Sequence, residues 1–139
     1  MIERATRTIN QQTAVNRVIA RCGSHVALDE MRVFASALSP GRLARLRAAD
    51  AIVRRMSEES GFERQVWQFP VILIPLGSVD RPDSVVLRPI HSVDGMTASA
   101  VVMEERLLAS MTERLLAIDG VAAVFYDLTH KPPATIEWE

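Results

Sequence analysis

Residues 66–74 (VWQFPVILI) mark the point at which the apolar pattern of this chain changes period. Before them, apolar residues recur every three or four positions, as they do in amphipathic helices. From them onward, short and nearly continuous apolar runs are separated by turn residues, as in strands. The run ends at the turn residues Pro75 and Gly77. We therefore predict a strand over 66–74, preceded by a helical part of the chain and followed by a mixed one.

The strongest helix signal lies just upstream of this strand. Ser39 is a good N-cap residue, Pro40 suits the first helical position, and Gly61 suits the position after the last turn. Between them, apolar residues form one stripe along the helix surface. These features predict a helix from residue 39 to about residue 59.

The N-terminal part of the sequence gives weaker signals. Some helical spacing occurs over 13–20 and again over 28–38, which predicts two short helices. Residues 1–26 are otherwise polar and are expected to form a mobile arm. We interpret residues 1–43 as an N-terminal helical extension and residues 44–139 as the main domain.

The part of the chain after residue 74 predicts three more strands and one helix. A short turn at 80–84 leads into a strand over 85–90, so the first two strands are expected to form a hairpin. The remaining predicted elements are a helix over 103–118, a strand over 121–127 and a strand over 134–139. The order α-β-β-α-β-β predicts an α+β fold, a two-layer sandwich with helices packed on one face of a mainly antiparallel sheet.

Two of the predicted strands, over 71–74 and 121–126, are apolar at both alternating sets of positions. An antiparallel sheet with one face in water should instead alternate apolar and polar residues. Since helices cover only one face, something apolar must cover the other. The candidates are the N-terminal arm and a second copy of the chain, and of these we favour a homodimer.

Composition excludes several classes of function. The chain has 139 residues, 48% of them hydrophobic and 24% charged, with a net charge of −1, which is typical of one globular domain. This charge offers no surface for nucleic acid, and no apolar run is long enough to cross a membrane. A single cysteine, Cys22, cannot form an internal disulfide, which suits a cytoplasmic location. We expect no metal and no cofactor.

The last nine residues, 131–139 (KPPATIEWE), are the most specific motif in the sequence and contain its only lysine. They resemble the C-terminal signature of GMP synthase. Further matching stretches lie at 46–53 (LRAADAIV), 71–75 (VILIP), 85–89 (VVLRP), 92–98 (SVDGMTA) and 120–127 (GVAAVFYD). The resemblance covers roughly residues 44–139 and is to the dimerisation domain of that family.

The resemblance implies a set of substrate-binding residues for xanthosine monophosphate (XMP). By motif, Lys131 is similar to the lysine that meets the phosphate, and Glu137 to the carboxylate that accepts from the ribose hydroxyls. Gln68 and Ile136 would complete the set. The chemistry is suitable, because an ammonium donates to phosphate oxygens and a carboxylate accepts from a diol. None of these residues is expected to be catalytic.

Two departures from the family pattern concern the phosphate. The family usually has arginine where this chain has Gly77 and Ala123. Charge-assisted hydrogen bonds contribute about 1.5–3 kcal/mol each, so their loss should weaken binding. The sequence also has no Gly-Gly pair for a pyrophosphate loop and no segment resembling a glutaminase. We expect a stand-alone domain that cannot make GMP by itself.

Three functions remain open from the sequence. The first is a non-catalytic homodimerisation or interaction module. The second is an XMP-binding subunit that completes a split GMP synthase, an ATP-dependent and glutamine-hydrolysing enzyme, together with a separate ATP-pyrophosphatase subunit. The third is a sensor of XMP or GMP. The first ranks highest because it requires only features that the sequence retains.

Overall fold

The computed structural model describes residues 8–9, 11 and 15–138. The predicted long helix is present as α1 (Pro40–Ser60). Its first turn is capped because the Ser39 hydroxyl accepts a hydrogen bond of 3.3 Å from the backbone N–H of Arg42. The helix ends at Gly61, whose φ of 75° places it in the left-handed region that glycine adopts without strain. Both predicted ends are therefore confirmed.

The second helix, α2 (Glu105–Leu116), lies inside the predicted range of 103–118. It packs on the same side of the sheet as α1, and its residues Met111 and Leu115 are completely buried. No helix among the described residues has the length and apolar character needed to cross a membrane.

The described residues contain eight strands, four of which form the main sheet. They are β1 (Ile19–Ser24), β2 (Arg32–Val33), β3 (Val71–Ile74), β4 (Leu76–Gly77), β5 (Asp83–Leu87), β6 (Ile90–His91), β7 (Ser99–Ala100) and β8 (Val121–Asp127). The main sheet has the order β1-β8-β5-β3, while β2 pairs with β4 and β6 with β7.

The sheet is antiparallel at β1–β8 and β3–β5, and parallel at β5–β8. The parallel pair arises because α2 lies between β5 and β8 in the chain and carries it back to the same end of the sheet. The predicted hairpin is confirmed by the antiparallel β3–β5 pair, and β8 has the predicted bounds. With two helices on a mainly antiparallel sheet, the α+β two-layer prediction is confirmed.

The prediction of two short N-terminal helices is wrong for the described residues; residues 13 and 14 lie outside them. Residues from Ile19 onward form β1, and the 28–38 range contains only a 3₁₀ turn (Leu28–Glu30) followed by β2. The weak apolar spacing of this segment would stabilise a helix only slightly. Pairing with β8 instead satisfies the backbone N–H and C=O groups of β1 along its length. Part of the predicted mobile arm is therefore an edge strand of the sheet.

The prediction of a strand over 134–139 is also wrong within the described residues, which end at 138. Residues 132–138 form turns and bends, because side chains from elsewhere in the fold bind their carbonyl groups, as described below. The strand predicted over 66–74 is shortened to β3, since Phe62–Gln65 is a 3₁₀ helix and Pro70 lacks an N–H for a ladder. Pro89 likewise separates β5 from β6.

Each face of the sheet has its own apolar cluster. The helix side contains most of the core, including Val85, Leu87 and Val124. On the second face, the buried residues Val86, Ala123 and Phe125 are covered by partly buried residues of the same chain, namely Ile19, Met31, Ile72, Ile74, Leu76 and Trp138. The N-terminal segment thus covers part of this face within one chain, and the homodimer remains a prediction.

The division at residue 43 also remains a prediction, although the sheet extends across it. β1 belongs to the N-terminal segment and pairs with β8 from Ile19↔Asp127 to Ser24↔Ala123. The edge strand and the centre of the sheet therefore come from opposite ends of the sequence.

Helix α1 is fixed to the sheet by a buried ion cluster. Asp83 at the start of β5 is 1% exposed and accepts from Arg42 Nε at 3.0 Å and from Arg45 Nη1 at 2.6 Å. Arg45 also donates to the Asp119 carbonyl at 2.8 Å. Since a buried carboxylate is stable only when it is paired, these contacts fix the first turns of α1 against the sheet.

Candidate functional site

Lys131 lies at a short antiparallel bridge with Ala98, where the two backbones exchange hydrogen bonds of 2.7 and 3.1 Å. Its ammonium Nζ donates to the Gly95 carbonyl at 2.8 Å, and the residue is half-buried. The peptide bonds on either side of Pro132 are both cis. Lys131, the residue predicted to bind phosphate, is therefore held by the loop between β6 and β7.

The same loop places one carboxylate near the Lys131 ammonium. Asp94 Oδ1 accepts from the backbone N–H groups of Thr97 at 3.3 Å and Met96 at 2.9 Å. These backbone hydrogen bonds lower the pKa of Asp94, and Lys131 adds a smaller decrease. Asp94 is thus a turn-forming carboxylate that also balances the charge of Lys131.

Gln68 is exposed and lies next to β6, the strand that leads into the same loop. Its backbone pairs with Ile90 of β6, the two hydrogen bonds measuring 2.9 and 3.3 Å. The neighbouring Trp67 ring lies close to Gly95, where an added Cβ would be 3.8 Å from the ring. The Gln68 backbone and the Lys131 ammonium therefore both contact the segment 90–100, at Ile90 and Gly95 respectively.

Ile136 and Glu137 are positioned through their backbone carbonyls by two arginines. The buried Arg88, between β5 and β6, donates from Nε to the Ile136 carbonyl at 3.0 Å and from Nη2 to the Thr135 carbonyl. Arg17, from the segment before β1, donates from Nη2 to the Glu137 carbonyl. The side chain of Glu137 is left exposed. We call residues 132–138 the C-terminal tail.

Asp127 at the end of β8 holds both arginines. Its Oδ2 accepts from Arg88 Nη1 at 2.7 Å and from Arg17 Nη1 at 2.8 Å, and both Arg88 and Asp127 are completely buried. Burial lowers the pKa of Arg88, the Asp127 carboxylate opposes that change, and Arg17 adds to it. Asp127 Oδ1 also accepts from the backbone N–H of Thr129 at 2.9 Å, so the chain that leaves β8 toward the tail is fixed as well.

The two positions at which the family usually has arginine are closed by packing. Gly77 lies in β4, where an added Cβ would be 2.0 Å from the Arg81 carbonyl oxygen and 2.8 Å from the Cβ of Ala122. Ala123 is completely buried in β8, within the second-face cluster. An arginine side chain has no space at either position in this fold. The arginine–phosphate contacts that the resemblance implies at these positions cannot be made by the residues present.

Two histidines and a cavity of about 340 Å³ lie beside Lys131. The cavity is bounded by the loop after His91 and by His130. His130 Nδ1 accepts from the backbone N–H of Ala100 at 3.1 Å, an arrangement that leaves its Nε2 to carry the proton. No group of three or more His, Cys, Asp or Glu side chains within the described parts of the chain could hold a metal ion.

The sequence has one closely spaced Cys/His pair, Cys22 and His25, and the structure gives each residue a separate environment. Cys22 packs against the helix-side core, and burial raises the pKa of its thiol to about 11. His25 Nε2 lies 2.9 Å from the Leu116 carbonyl. A thiol with this pKa is protonated near neutral pH and is a poor nucleophile.

The sequence did not point to Arg17, Arg88 or Asp127 as parts of the site. One signal was available, because Arg88 and Asp127 are charged residues at the ends of otherwise apolar strands (VVLRP and VAAVFYD). A buried charge needs a partner, so these two residues could have been paired with each other from the sequence. Arg17 gave no such signal.

Comparison with known proteins assigns the family. A family model described as the GMP synthase C-terminal domain matches residues 55–138. A probable glutamine-hydrolyzing GMP synthase of Leptospira interrogans is 42% identical over 94 residues, which are 68% of this chain and 16% of that protein. The glutamine-hydrolyzing GMP synthase of Staphylococcus aureus is 34% identical over 110 residues, or 73% of this chain and 21% of that protein. The chain thus spans only a small part of these relatives, and it belongs to the GMP synthase C-terminal domain family.

Proposed function

We propose that this chain is a non-catalytic homodimerisation and interaction module, linked to the biosynthesis of GMP in the cytoplasm. The link to GMP is supported by family membership and by the names of the relatives. The dimer is supported by one structural observation. Val33 in β2 is 78% exposed and pairs with Leu76, which packs against the second-face cluster. Val79, two residues after β4, is 82% exposed. Exposed apolar side chains next to a buried apolar cluster are typical of interaction surfaces.

A non-catalytic role also agrees with the residues available. The Lys131 ammonium is bound to a carbonyl, and the buried charges are paired with each other in ion clusters. The sequence has no Gly-Gly pair of the kind that a pyrophosphate loop requires. Synthesis of GMP would need groups supplied by other segments or by other chains.

Sedimentation equilibrium tests the dimer. We expect a dimer at micromolar concentration, and we expect the double variant Val33→Glu/Val79→Glu to weaken its association at least tenfold, or by about 1.4 kcal/mol. Charged side chains placed in an apolar contact must be desolvated without a partner. The matched control is Val93→Glu, at a residue that is 95% exposed on the loop between β6 and β7. A monomer at all concentrations, or equal effects of the two changes, would contradict the proposal.

A second candidate function is the binding of XMP, as a subunit that completes a split GMP synthase or as a nucleotide sensor. One observation favours it: Lys131 and Gln68 both contact the segment 90–100, and the backbone of the tail is fixed while Glu137 stays exposed. Because positions 77 and 123 have no space for arginine, this chain offers two fewer cations to the phosphate of XMP. We therefore expect XMP to bind more weakly than it would with both arginines present.

Calorimetry with XMP and GMP tests this second function. We expect binding that is lost on Lys131→Ala, because the phosphate then has no ammonium partner. Arg55→Ala removes an equal charge from an exposed position on α1 and should leave binding unchanged. The titration should be repeated with an ATP-pyrophosphatase protein, where a split enzyme predicts tighter binding and the production of GMP. Absence of heat with either nucleotide at millimolar concentration, with and without that partner, would exclude this function.

A further inference from the structure

Arg17 contacts the C-terminal tail at three residues, namely Thr135, Glu137 and Trp138. Its Nη2 donates to the Thr135 hydroxyl at 3.2 Å and to the Glu137 carbonyl, and its guanidinium carbon lies 4.6 Å from the centre of the Trp138 ring. Its Nη1 is anchored on Asp127 at 2.8 Å. The guanidinium is therefore clamped between the end of β8 and the outer half of the tail.

Arg17 and Arg88 share the tail between them. Arg88 binds the carbonyls of Thr135 and Ile136 from inside the fold, whereas Arg17 binds the outer residues. If Arg17 were removed, the Glu137 carbonyl would lose its hydrogen bond to the guanidinium, and the Trp138 ring would lose its cation–π contact. Arg17 lies outside the 55–138 range that the family model matches, on the segment that leads into β1.

We propose that Arg17 is a positioning residue, through which the N-terminal segment sets the place of the C-terminal tail and hence of the exposed Glu137 carboxylate. The nucleotide part of this inference rests on the second proposed function, the binding of XMP. Arg17 makes no contact with substrate in this role. It acts through the tail, and the positioning of the tail can be measured with or without a nucleotide.

The contacts require the shape of arginine as well as its charge. A guanidinium presents several N–H groups in one plane, so it can bind a carboxylate and two tail oxygens while its face lies on an aromatic ring. An ammonium on a lysine stem can keep the ion pair with Asp127 but cannot make the other contacts at the same time. Arg17→Lys therefore separates the ion pair, which contributes to stability, from the contacts that hold the tail.

The first test uses the fluorescence of Trp138 in a Trp67→Phe background, so that a single tryptophan reports on the tail. We expect Arg17→Lys to shift the emission to longer wavelength and to raise the iodide quenching constant at least threefold, with the melting temperature almost unchanged. Arg21→Ala is the matched control, since Arg21 is an exposed arginine in the same segment. Quenching that is unchanged by Arg17→Lys, or raised equally by Arg21→Ala, would overturn the inference.

The second test measures XMP affinity by calorimetry with the native tryptophans. We expect Arg17→Lys to weaken XMP at least fivefold and Arg21→Ala to have no effect. Quenching that rises while XMP affinity stays constant would overturn the link between the tail and the nucleotide. Absence of XMP binding by the unsubstituted chain counts against the second proposed function, and the quenching result then decides by itself whether Arg17 positions the tail.

Discussion

Replacement of Arg88 by methionine should lower the free energy of unfolding by about 3–5 kcal/mol, as expected when one partner of a buried ion pair is removed. Arg88 has no exposed surface and binds Asp127 together with the carbonyls of Thr129, Thr135 and Ile136. Methionine fills much of the space but leaves these buried acceptors without their donor. Urea denaturation followed by circular dichroism measures the change.

The control for this change is Arg55→Met, which removes the same group from an exposed position on α1 and should alter stability by less than about 0.5 kcal/mol. Arg17 still pairs with Asp127 in the Arg88 variant, so Arg17→Met and the double variant should not be additive. A loss below about 1 kcal/mol for Arg88→Met would show that the two arginines do not hold the tail in the way described.

Restoring the arginine that the family usually has at position 77 should damage the protein. We expect Gly77→Arg to lower the free energy of unfolding by about 3 kcal/mol or more, at the upper end of the cost of overpacking. An added Cβ would lie 2.0 Å from the Arg81 carbonyl oxygen, and this obstacle is backbone that cannot rotate away. Denaturation gives the stability, and calorimetry should show no gain in affinity for XMP.

Gly41→Arg is the matched control for position 77. Gly41 lies in the first turn of α1, and an added Cβ there would meet nothing within 4 Å. Arginine is a better helix former than glycine, so this variant should be as stable as the native chain or slightly more stable. If Gly77→Arg proved as stable as Gly41→Arg, the loop after β4 would have to adopt a different conformation from the one in this structure.

The sequence was sufficient where a local signal and the tertiary structure agree. Helix α1 begins after Ser39 and ends before Gly61 because a cap at each end satisfies the backbone without help from the rest of the fold. β8 has its predicted bounds because a strand at the centre of a sheet is apolar on both faces. The site residues that the family motif suggested, Lys131 and Gln68 among them, stay a prediction.

The sequence was insufficient where distant residues decide the local conformation. β1 forms because β8 offers it a row of backbone partners, and the spacing over 13–20 contains no trace of that partner. The tail alternates like a strand but is held by Arg88 and Arg17, whose side chains take the place of a neighbouring strand. The roles of Gly77 and Arg17 likewise depend on contacts across the fold, so no pattern in the adjacent sequence could predict them.

The place of β8 between β1 and β5 has a consequence for how the protein is made. β1 leaves the ribosome early, yet the strand that it must pair with is roughly a hundred residues further along the chain, so a large loop has to close before that pairing can form. The β3–β5 hairpin can form as soon as it is synthesised, but one edge of β5 stays open until residues 121–127 have emerged. Unpaired strand edges attract other chains. Translation of this protein therefore includes an interval, ended only by β8, in which β1 and one edge of β5 are unpaired and exposed to aggregation.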